Sequence, residues 1–353
     1  MDGIAIGVIE ENTDIVIEGS THLTVLRNAT EEIVILTNRD LEHTLTDLQP
    51  LEILWINPET HHNCTPTPHI LSGTKITSLK PLSVFTTEAT CNNMGGSSEL
   101  VHQMPPVSKW GVNFILDMQQ ANIIPPSLTQ YLHYQFTILT SSNHTTNLAI
   151  DYYYHSQPHL NSPHTEHYPT SSNKKLIIPV NIQSDTLSHF HIHASDPILV
   201  MYEIHSLAGG NVSYSVLLQP TEWFSRQQTL ILSHHKPSNE YRHHIGVVIP
   251  KKYFDDRNIY VKNVLQSSPP EPLSTYRGYN REVFYTTDHA VLCLEITVHN
   301  ESSSETHLLL QHSNPCGVLS ATVYSYAEGG MDYAYSNGYI LGKFCDSQLA
   351  VAV

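Results

Sequence analysis

The segment Ser78-Leu-Lys-Pro-Leu-Ser-Val-Phe85 joins a proline to an apolar, β-branched run, and it recurs as Ser195-Asp-Pro-Ile-Leu-Val-Met201. Proline has no backbone N–H and suits the first position of a strand, so each copy predicts a corner followed by a strand that enters the core. Two residues after the first segment also have counterparts after the second, in the same order along the chain: Trp110 corresponds to Trp223, and Asn147 corresponds to Asn258. The repetition of these segments in the same order predicts two related β units.

Short β-branched runs dominate the rest of the sequence and are interrupted by Gly, Pro, Asn or Ser. This spacing predicts an all-β fold of tandem, related β-sandwich-like lobes with few short helices. The helices are expected at residues 39–47, 126–132 and 251–256. A β-propeller is the alternative architecture, because repeats of short strands also suit propeller blades.

One segment, residues 155–173, has no apolar period and is rich in His, Pro and Ser. Such a composition is typical of a linker or an exposed loop. We therefore predict a first β lobe over residues 1–154, a linker over residues 155–173, and a second β lobe over residues 174–353 that ends in a Tyr-rich segment. The first lobe is expected to be incomplete at its amino end.

The charge balance excludes several classes of partner. The chain of 353 residues has 17 Lys and Arg against 33 Asp and Glu, for a formal net charge of −16. Such a chain repels nucleic-acid phosphates and anionic membrane surfaces. No run approaches the roughly 20 apolar residues of a membrane helix. The 24 His either reflect a biased composition or provide a pH response, because histidine titrates near neutrality.

The five cysteines form no metal or redox motif. Cys293 lies in an apolar, strand-like run and is expected to be a buried thiol. The other four lie in loop-like segments and could form the bridges Cys64–Cys91 and Cys316–Cys345 in an oxidising compartment. Glycosylation sequons occur at five positions, about as many as chance gives: Asn28, Asn63, Asn143, Asn211 and Asn300.

Several of these segments resemble a known family. Gly73-Thr-Lys-Ile-Thr-Ser-Leu-Lys-Pro-Leu-Ser-Val-Phe85 is followed by Cys91 and by Gln103-Met-Pro-Pro-Val-Ser-Lys-Trp-Gly111. This order is similar to that of the IgG Fc-binding protein N-terminal domain family. The strand Ser195–Tyr202 and the Tyr-rich closing segment Ala321–Gly338 also resemble that family. Where the family has a second cysteine, this sequence has Ser97-Ser-Glu99. Cys91 would therefore form a disulfide with another cysteine, such as Cys64, or stay free.

The resemblance implies a secreted, non-enzymatic binding module of mucus-associated and adhesive extracellular proteins. It implies an extracellular protein or glycoprotein partner, and a larger multidomain chain of which this sequence is a fragment. The amino end shows no signal peptide, which agrees with a fragment. The resemblance assigns no Fc contact to any residue of this sequence.

The best metal candidate is His189-Phe-His-Ile-His193. Alternate residues of a strand share a face, so His189, His191 and His193 are expected to project together, with Asp196 close by. Imidazole groups in this arrangement suit zinc. The alternative is a polar strand face without an ion, and no other cofactor is expected.

Catalytic signatures are missing from the sequence: no GxSxG, HExxH or phosphate-binding loop occurs. We therefore expect no catalytic residues and no enzyme. Trp110 and Trp223 are expected to be core anchors, with sugar stacking as the alternative. Three functions remain: a protein-binding or mucus-network module, a His-dependent metal-binding or lectin-like carbohydrate-binding protein, and a hydrolase in an unfamiliar fold.

Overall fold

The computed structural model describes most of the chain. The described residues are 3–18, 23–27, 33–36, 42–58, 74–91, 97–118, 132–142, 144–154, 163–170, 175–180, 187–206, 214–233, 241–266, 269–277, 279–298, 305–327 and 330–336. The chain divides into two compact units. Unit 1 is Met1–Pro106 with Asn173–Lys175, and unit 2 is Val107–Ser172 with Leu176–Val353. These units are delimited differently from the lobes 1–154 and 174–353.

Unit 1 is built from two antiparallel sheets. Its strands are β1 (Gly3–Val8), β2 (Thr13–Glu18), β3 (Leu23–Arg27), β4 (Ile33–Leu36), β5 (Glu42–Leu48), β6 (Ile53–Pro58), β7 (Lys75–Ser78), β8 (Leu82–Cys91) and β9 (Ser97–Gln103). One sheet has the order β4-β3-β6-β1-β8-β9 and the other β5-β2-β7. Alternate residues of both sheets, among them Ile6 and Ile15, form a shared apolar core. Unit 1 is therefore a sandwich.

Unit 2 contains the remaining strands. They are β10 (Gly111–Asp117), β11 (Leu132–Thr140), β12 (Thr146–Tyr154), β13 (His164–Thr170), β14 (Lys175–Val180), β15 (Leu187–Ser206), β16 (Tyr214–Leu217), β17 (Gln227–Ser233), β18 (Tyr241–Pro250), β19 (Ile259–Asn263), β20 (Glu271–Pro272), β21 (Tyr279–Tyr285), β22 (His289–Val298), β23 (Glu305–His312), β24 (Ser320–Ala327) and β25 (Gly330–Ser336). They form three sheets. The first has the order β13-β12-β15-β11-β14, with β10 and β16 also paired to β15; the others are β17-β23-β19-β20 and β21-β22-β18-β24-β25.

The sheet containing β18 and β22 is covered on both faces. Residues such as Ile245 and Leu292 pack on one face against the β17-β23-β19 sheet. Val248 and Val291 on the other face pack against Ile115 of β10. Odd and even residues of β18 therefore enter two different cores, because successive strand residues point to opposite faces.

Strand β15 connects most of the first sheet of unit 2. Its first half pairs with β12 and β10, and its second half pairs with β11 and β16. Its pairing with β10 shifts register between His193 and Ile198. Pro197 lies in this shift and cannot donate a ladder hydrogen bond. The corresponding proline of the first copy, Pro81, separates β7 from β8, which belong to different sheets.

The all-β prediction is confirmed, since every helix among the described residues is a 3-10 turn of three residues. Their five antiparallel sheets do not form the four-stranded blades of a propeller. The helix expected at 39–47 is wrong where it is described, because Glu42–Leu48 pairs with β2 as strand β5. The helix expected at 251–256 is reduced to 3-10 turns, the first being Lys251–Tyr253. Residues 126–131 lie outside the described residues.

Part of the segment expected to be a linker is instead strand β13. Residues 155–162 lie outside the described residues, but His164–Thr170 pairs with β12. Polar side chains connect the two strands: the Thr165 hydroxyl donates to Asp151 and the Tyr152 hydroxyl donates to Glu166. Among the described strands β13 pairs with β12 alone, at the edge of the sheet, and an edge strand needs no apolar period.

No helix among the described residues has the length and apolar character required to cross a bilayer.

Candidate functional site

The His-rich half of β15 separates two kinds of environment. Phe190 and Ile192 are fully buried on one face, where Phe190 meets Phe136 with ring centroids 5.1 Å apart. His189, His191 and His193 alternate with them. The rings of His191 and His193 lie 3.6 Å apart between centroids, as expected for neighbours on one face of a strand.

Two neighbouring strands add polar groups to this histidine face. Asp151 of β12 lies opposite His191, and Asn113 of β10 lies opposite His193. The Nε2 atom of His193 lies 3.1 Å from Asp151 Oδ2, and its Nδ1 atom lies 3.0 Å from Asn113 Oδ1. One nitrogen from each of His191 and His193 and one Asp151 oxygen lie within 4.8 Å of one another. This group has the ligand types that zinc binds.

His189 and Asp196 of the expected metal set have other surroundings. The ring of His189 stacks on Tyr153 with centroids 4.4 Å apart. Asp196 accepts a hydrogen bond from the Ser195 hydroxyl at 2.8 Å and lies 2.9 Å from Nε2 of His144. The structure therefore brings His191 and His193 together with Asp151 rather than with Asp196. Nothing in the sequence places Asp151 there, because the register of β12 on β15 is not a local property.

Burial favours the neutral form of His189 and His191. It lowers the pKa of His189 to about 3. Burial also lowers the pKa of His191 to about 3, with further lowering by the charges of His193, His289 and His189. Neutral imidazole is the form that binds metals.

A second polar chain is buried between β10, β18 and β22. Nε2 of His244 lies 2.8 Å from Asp117 Oδ2, and the Sγ atom of Cys293 lies 3.0 Å from Nδ1 of His244. The order acid, imidazole and thiol is that of a nucleophilic triad. However, Cys293 is only 3% exposed, and burial raises its pKa far above the usual range, with smaller contributions from Asp117 and Glu295. The thiol is therefore protonated and shielded, as expected for a structural cysteine.

A groove of about 780 Å³ opens on another part of unit 2. Its wall contains two Pro-led 3-10 turns, Thr221–Trp223 and Lys251–Tyr253, and the turn between β21 and β22. It is lined by Thr221, Glu222, Trp223, Phe224, Ser225, Arg226, Pro250, Lys251, Lys252, Tyr253, Thr287, Asp288, His289, Pro315, Cys316 and Val318. The lining mixes aromatic rings with both signs of charge.

Lysines stack on aromatic rings at this groove. The Lys109 ammonium lies 3.7 Å from the centroid of the Trp223 ring, and Lys252 lies 4.8 Å from that of Tyr253. Lys251 lies 5.3 Å from the ring centroid of Tyr285, a residue 48% exposed. Trp110 and Trp223 are both half-buried rather than deep core anchors. A surface that combines aromatic rings with charges of both signs suits a binding site more than a packing role.

The covalent modification sites stay predictions. Cys64, Cys345 and all five sequon asparagines, Asn28, Asn63, Asn143, Asn211 and Asn300, lie outside the described residues. Cys91 ends strand β8, and Cys316 is exposed in the turn before β24. Cys293 is a buried free thiol, as expected from its apolar strand.

Comparison with known proteins identifies the family. The family model described as IgGFc binding protein matches residues 3–321, nearly the whole chain. The chain belongs to this family. The resemblance inferred from the motifs is therefore confirmed, and the match includes residues of both compact units. No curated protein and no solved structure is significantly similar to it.

Proposed function

We propose that this chain is a non-enzymatic extracellular module for adhesion or ligand capture, which engages glycoprotein or mucus-type partners as part of a larger secreted protein. The family match over residues 3–321 is the observation that carries this proposal. The family is a binding-type family. In this compartment the pairings Cys64–Cys91 and Cys316–Cys345 and glycans on the sequon asparagines would be available.

The groove of unit 2 is the binding surface that we assign to this function. The chain has a net charge of −16, so an acidic glycoprotein would be repelled by most of its surface. Lys251 and Lys252, both exposed, and Arg226 place cations at the groove. Their aromatic neighbours supply apolar contact area beside these charges. A partner with carboxylate or sulfate groups on its glycans suits this combination.

The buried polar chain supports a binding role over hydrolysis. Cys293, the candidate nucleophile of the Asp117–His244–Cys293 chain, is shielded from any substrate and protonated. Lectin-like stacking of a sugar on the face of Trp223 that Lys109 covers would first require Lys109 to leave that face. Both observations favour a mixed charged and aromatic contact in the groove.

The test is binding of the secreted chain to an immobilised, sialylated mucin-type glycoprotein. The groove variant carries Lys251→Ser and Lys252→Ser, and the matched control carries Lys75→Ser and Lys80→Ser in unit 1, with the same change of charge. We expect the groove variant to bind about tenfold or more weakly, as for the loss of contact residues at an interface centre. The control should bind nearly as the unmodified chain does.

Two outcomes would contradict different parts of the proposal. Equal losses in both variants would show that net charge, not the groove, governs binding. No binding to sialylated, desialylated or sulfated glycoproteins would overturn the function itself.

A further inference from the structure

We propose that Asp151, His191 and His193 bind a divalent ion of the zinc class on the surface of unit 2. This inference stands on the geometry of β12, β15 and β10 and does not depend on the proposed glycoprotein binding. Two imidazole nitrogens and one carboxylate oxygen converge within 4.8 Å. Such a set suits zinc better than calcium or magnesium, which prefer oxygen ligands only.

Asn113 determines which nitrogen of His193 carries the proton. The Nδ2 group of Asn113 donates to Glu222 Oε1 at 3.2 Å, which leaves its Oδ1 atom directed at His193. The Nδ1–H of His193 therefore donates to Asn113 Oδ1. A metal-binding histidine commonly donates its second ring N–H to such an acceptor, which orients the ring.

The opposite nitrogen of His193 then faces a second acceptor. In the neutral ring Nε2 carries a lone pair, and it lies 3.1 Å from the Asp151 carboxylate oxygen Oδ2. Two acceptors at this distance repel each other unless a cation lies between or beside them. The separation is close to the roughly 3.3 Å edge of a tetrahedral zinc site with bonds of about 2 Å. An ion or a proton is thus required at this position.

His191 supplies the observation that favours an ion. It is 6% exposed, and its Nε2 atom has no hydrogen-bond partner among the described residues. A buried nitrogen without a partner is costly in free energy. His244 is bonded through both nitrogens to Asp117 and Cys293, and His312 is bonded through both to Tyr253 and Asn314. Nδ1 of the neighbouring His289 is, like Nε2 of His191, without a partner among the described residues. A proton on His193 would leave His191 unsatisfied, whereas a shared metal would use both rings.

The group is accessible from solvent. The side chain of His193 is 38% exposed and that of Asp151 is 15% exposed, whereas His191 closes the inner side. An ion could therefore enter from the His193 side and keep water as a further ligand. A zinc site with three protein ligands keeps its fourth coordination position open to water or to another molecule.

The test is titration of the chelator-treated full chain with Zn²⁺, followed by calorimetry, and with Co²⁺, followed by its visible spectrum. We expect one Zn²⁺ per chain to bind more tightly than Zn²⁺ at any weak surface site, and bound Co²⁺ to show the intense bands of a four-coordinate ion. Ca²⁺ should not bind with comparable affinity. The isosteric variant Asp151→Asn and the variant His193→Gln should lose this tight binding of Zn²⁺. Asn113→Ala, which removes the orienting acceptor of His193 together with the donor to Glu222 but none of the three ligands, should weaken binding by about 10- to 100-fold.

The control is His144→Gln, which breaks the exposed His144–Asp196 pair of similar length, 2.9 Å, without touching the group. It should bind zinc as the unmodified chain does. Zinc should also raise the unfolding temperature of the chain and of His144→Gln, but not that of Asp151→Asn or His193→Gln. Identical zinc binding by all variants would overturn the proposal and assign the metal to surface histidines. The absence of a Co²⁺ spectrum from the unmodified chain would overturn it independently of whether any variant folds.

Discussion

Gly246 of β18 lies directly against the carboxylate of Asp117 of β10. A Cβ atom at Gly246 would stand 2.8 Å from Oδ2 and 2.9 Å from Cβ of Asp117. The missing side chain therefore makes room for the carboxylate, which reaches His244 on the same face of β18. One glycine thus permits a buried acid–imidazole contact between two sheets of unit 2.

The first prediction concerns this glycine. Gly246→Ala should lower the free energy of unfolding of unit 2 by about 1–3 kcal/mol, because a well-packed site must shift to accept a methyl group. The matched control is Gly7→Ala in β1, where the added Cβ would meet Ser83 at an ordinary 3.7 Å. Urea unfolding should show little change for Gly7→Ala. Equal effects of the two substitutions would mean that Asp117 moves freely.

The second prediction concerns the partner of Cys293. Cys293→Ala should cost about 1–3 kcal/mol, since it leaves Nδ1 of the buried His244 without its donor. Cys293→Ser keeps a donor at this position, so it should cost less. Chemical denaturation of both variants measures the difference. A larger loss for Ser than for Ala would show that the site behaves as a purely apolar pocket.

The third prediction concerns the reactivity of the same thiol. Cys293 is 3% exposed and its pKa is raised by burial, so it should resist iodoacetamide at pH 8 in the folded chain. In guanidinium it should be alkylated fully. Peptide mass spectrometry compares the two conditions at this one residue. Rapid alkylation of the folded chain would contradict a structural role and would reopen nucleophilic chemistry at the Asp117–His244–Cys293 chain.

The fourth prediction concerns acid unfolding of unit 1. Burial raises the pKa of Glu52, but hydrogen bonds from Arg27 and the Gln49 backbone and the charge of Arg27 outweigh it, so the pKa is lowered below 4.5. The pair then stabilises the fold above pH 4.5, and this contribution is lost as the pH falls through the folded pKa. Arg27→Met should lower stability at pH 7 by about 1 kcal/mol and progressively less below pH 4.5.

The exposed Lys75–Glu18 pair of unit 1 provides the control for this prediction. Its side chains are 65% and 42% exposed, against 24% and 13% for Arg27 and Glu52. Lys75→Met should therefore change stability very little at any pH, since an exposed ion pair is screened by solvent. Unfolding curves from pH 7 to pH 3 test both variants. A constant effect of Arg27→Met over this range would show that its contribution is packing rather than charge.

Local patterns in the sequence were sufficient for several features. The β-branched runs between turn residues predict strands, and the regular elements of the described residues are strands and 3-10 turns. The alternation His189-Phe-His-Ile-His193 predicts one polar and one apolar face, which the buried Phe190 and the neighbouring His191 and His193 rings display. Cys293 is buried, as its apolar neighbours indicate. These features depend on which face of a strand a residue occupies, and this is set by its immediate neighbours.

The contacts that build the candidate site were decided only by the tertiary structure. Asp151 lies opposite His191 because β12 pairs with β15 in one register, and a shift of one residue would turn it to the other face. Asp117 reaches His244 across 127 residues of chain, between strands of different sheets. The strands β5 and β13 likewise exist because a partner strand completes their hydrogen bonds, which their own polar sequences do not predict. The sequence by itself thus determined the strands and their faces, and the packing of distant strands determined which polar groups meet.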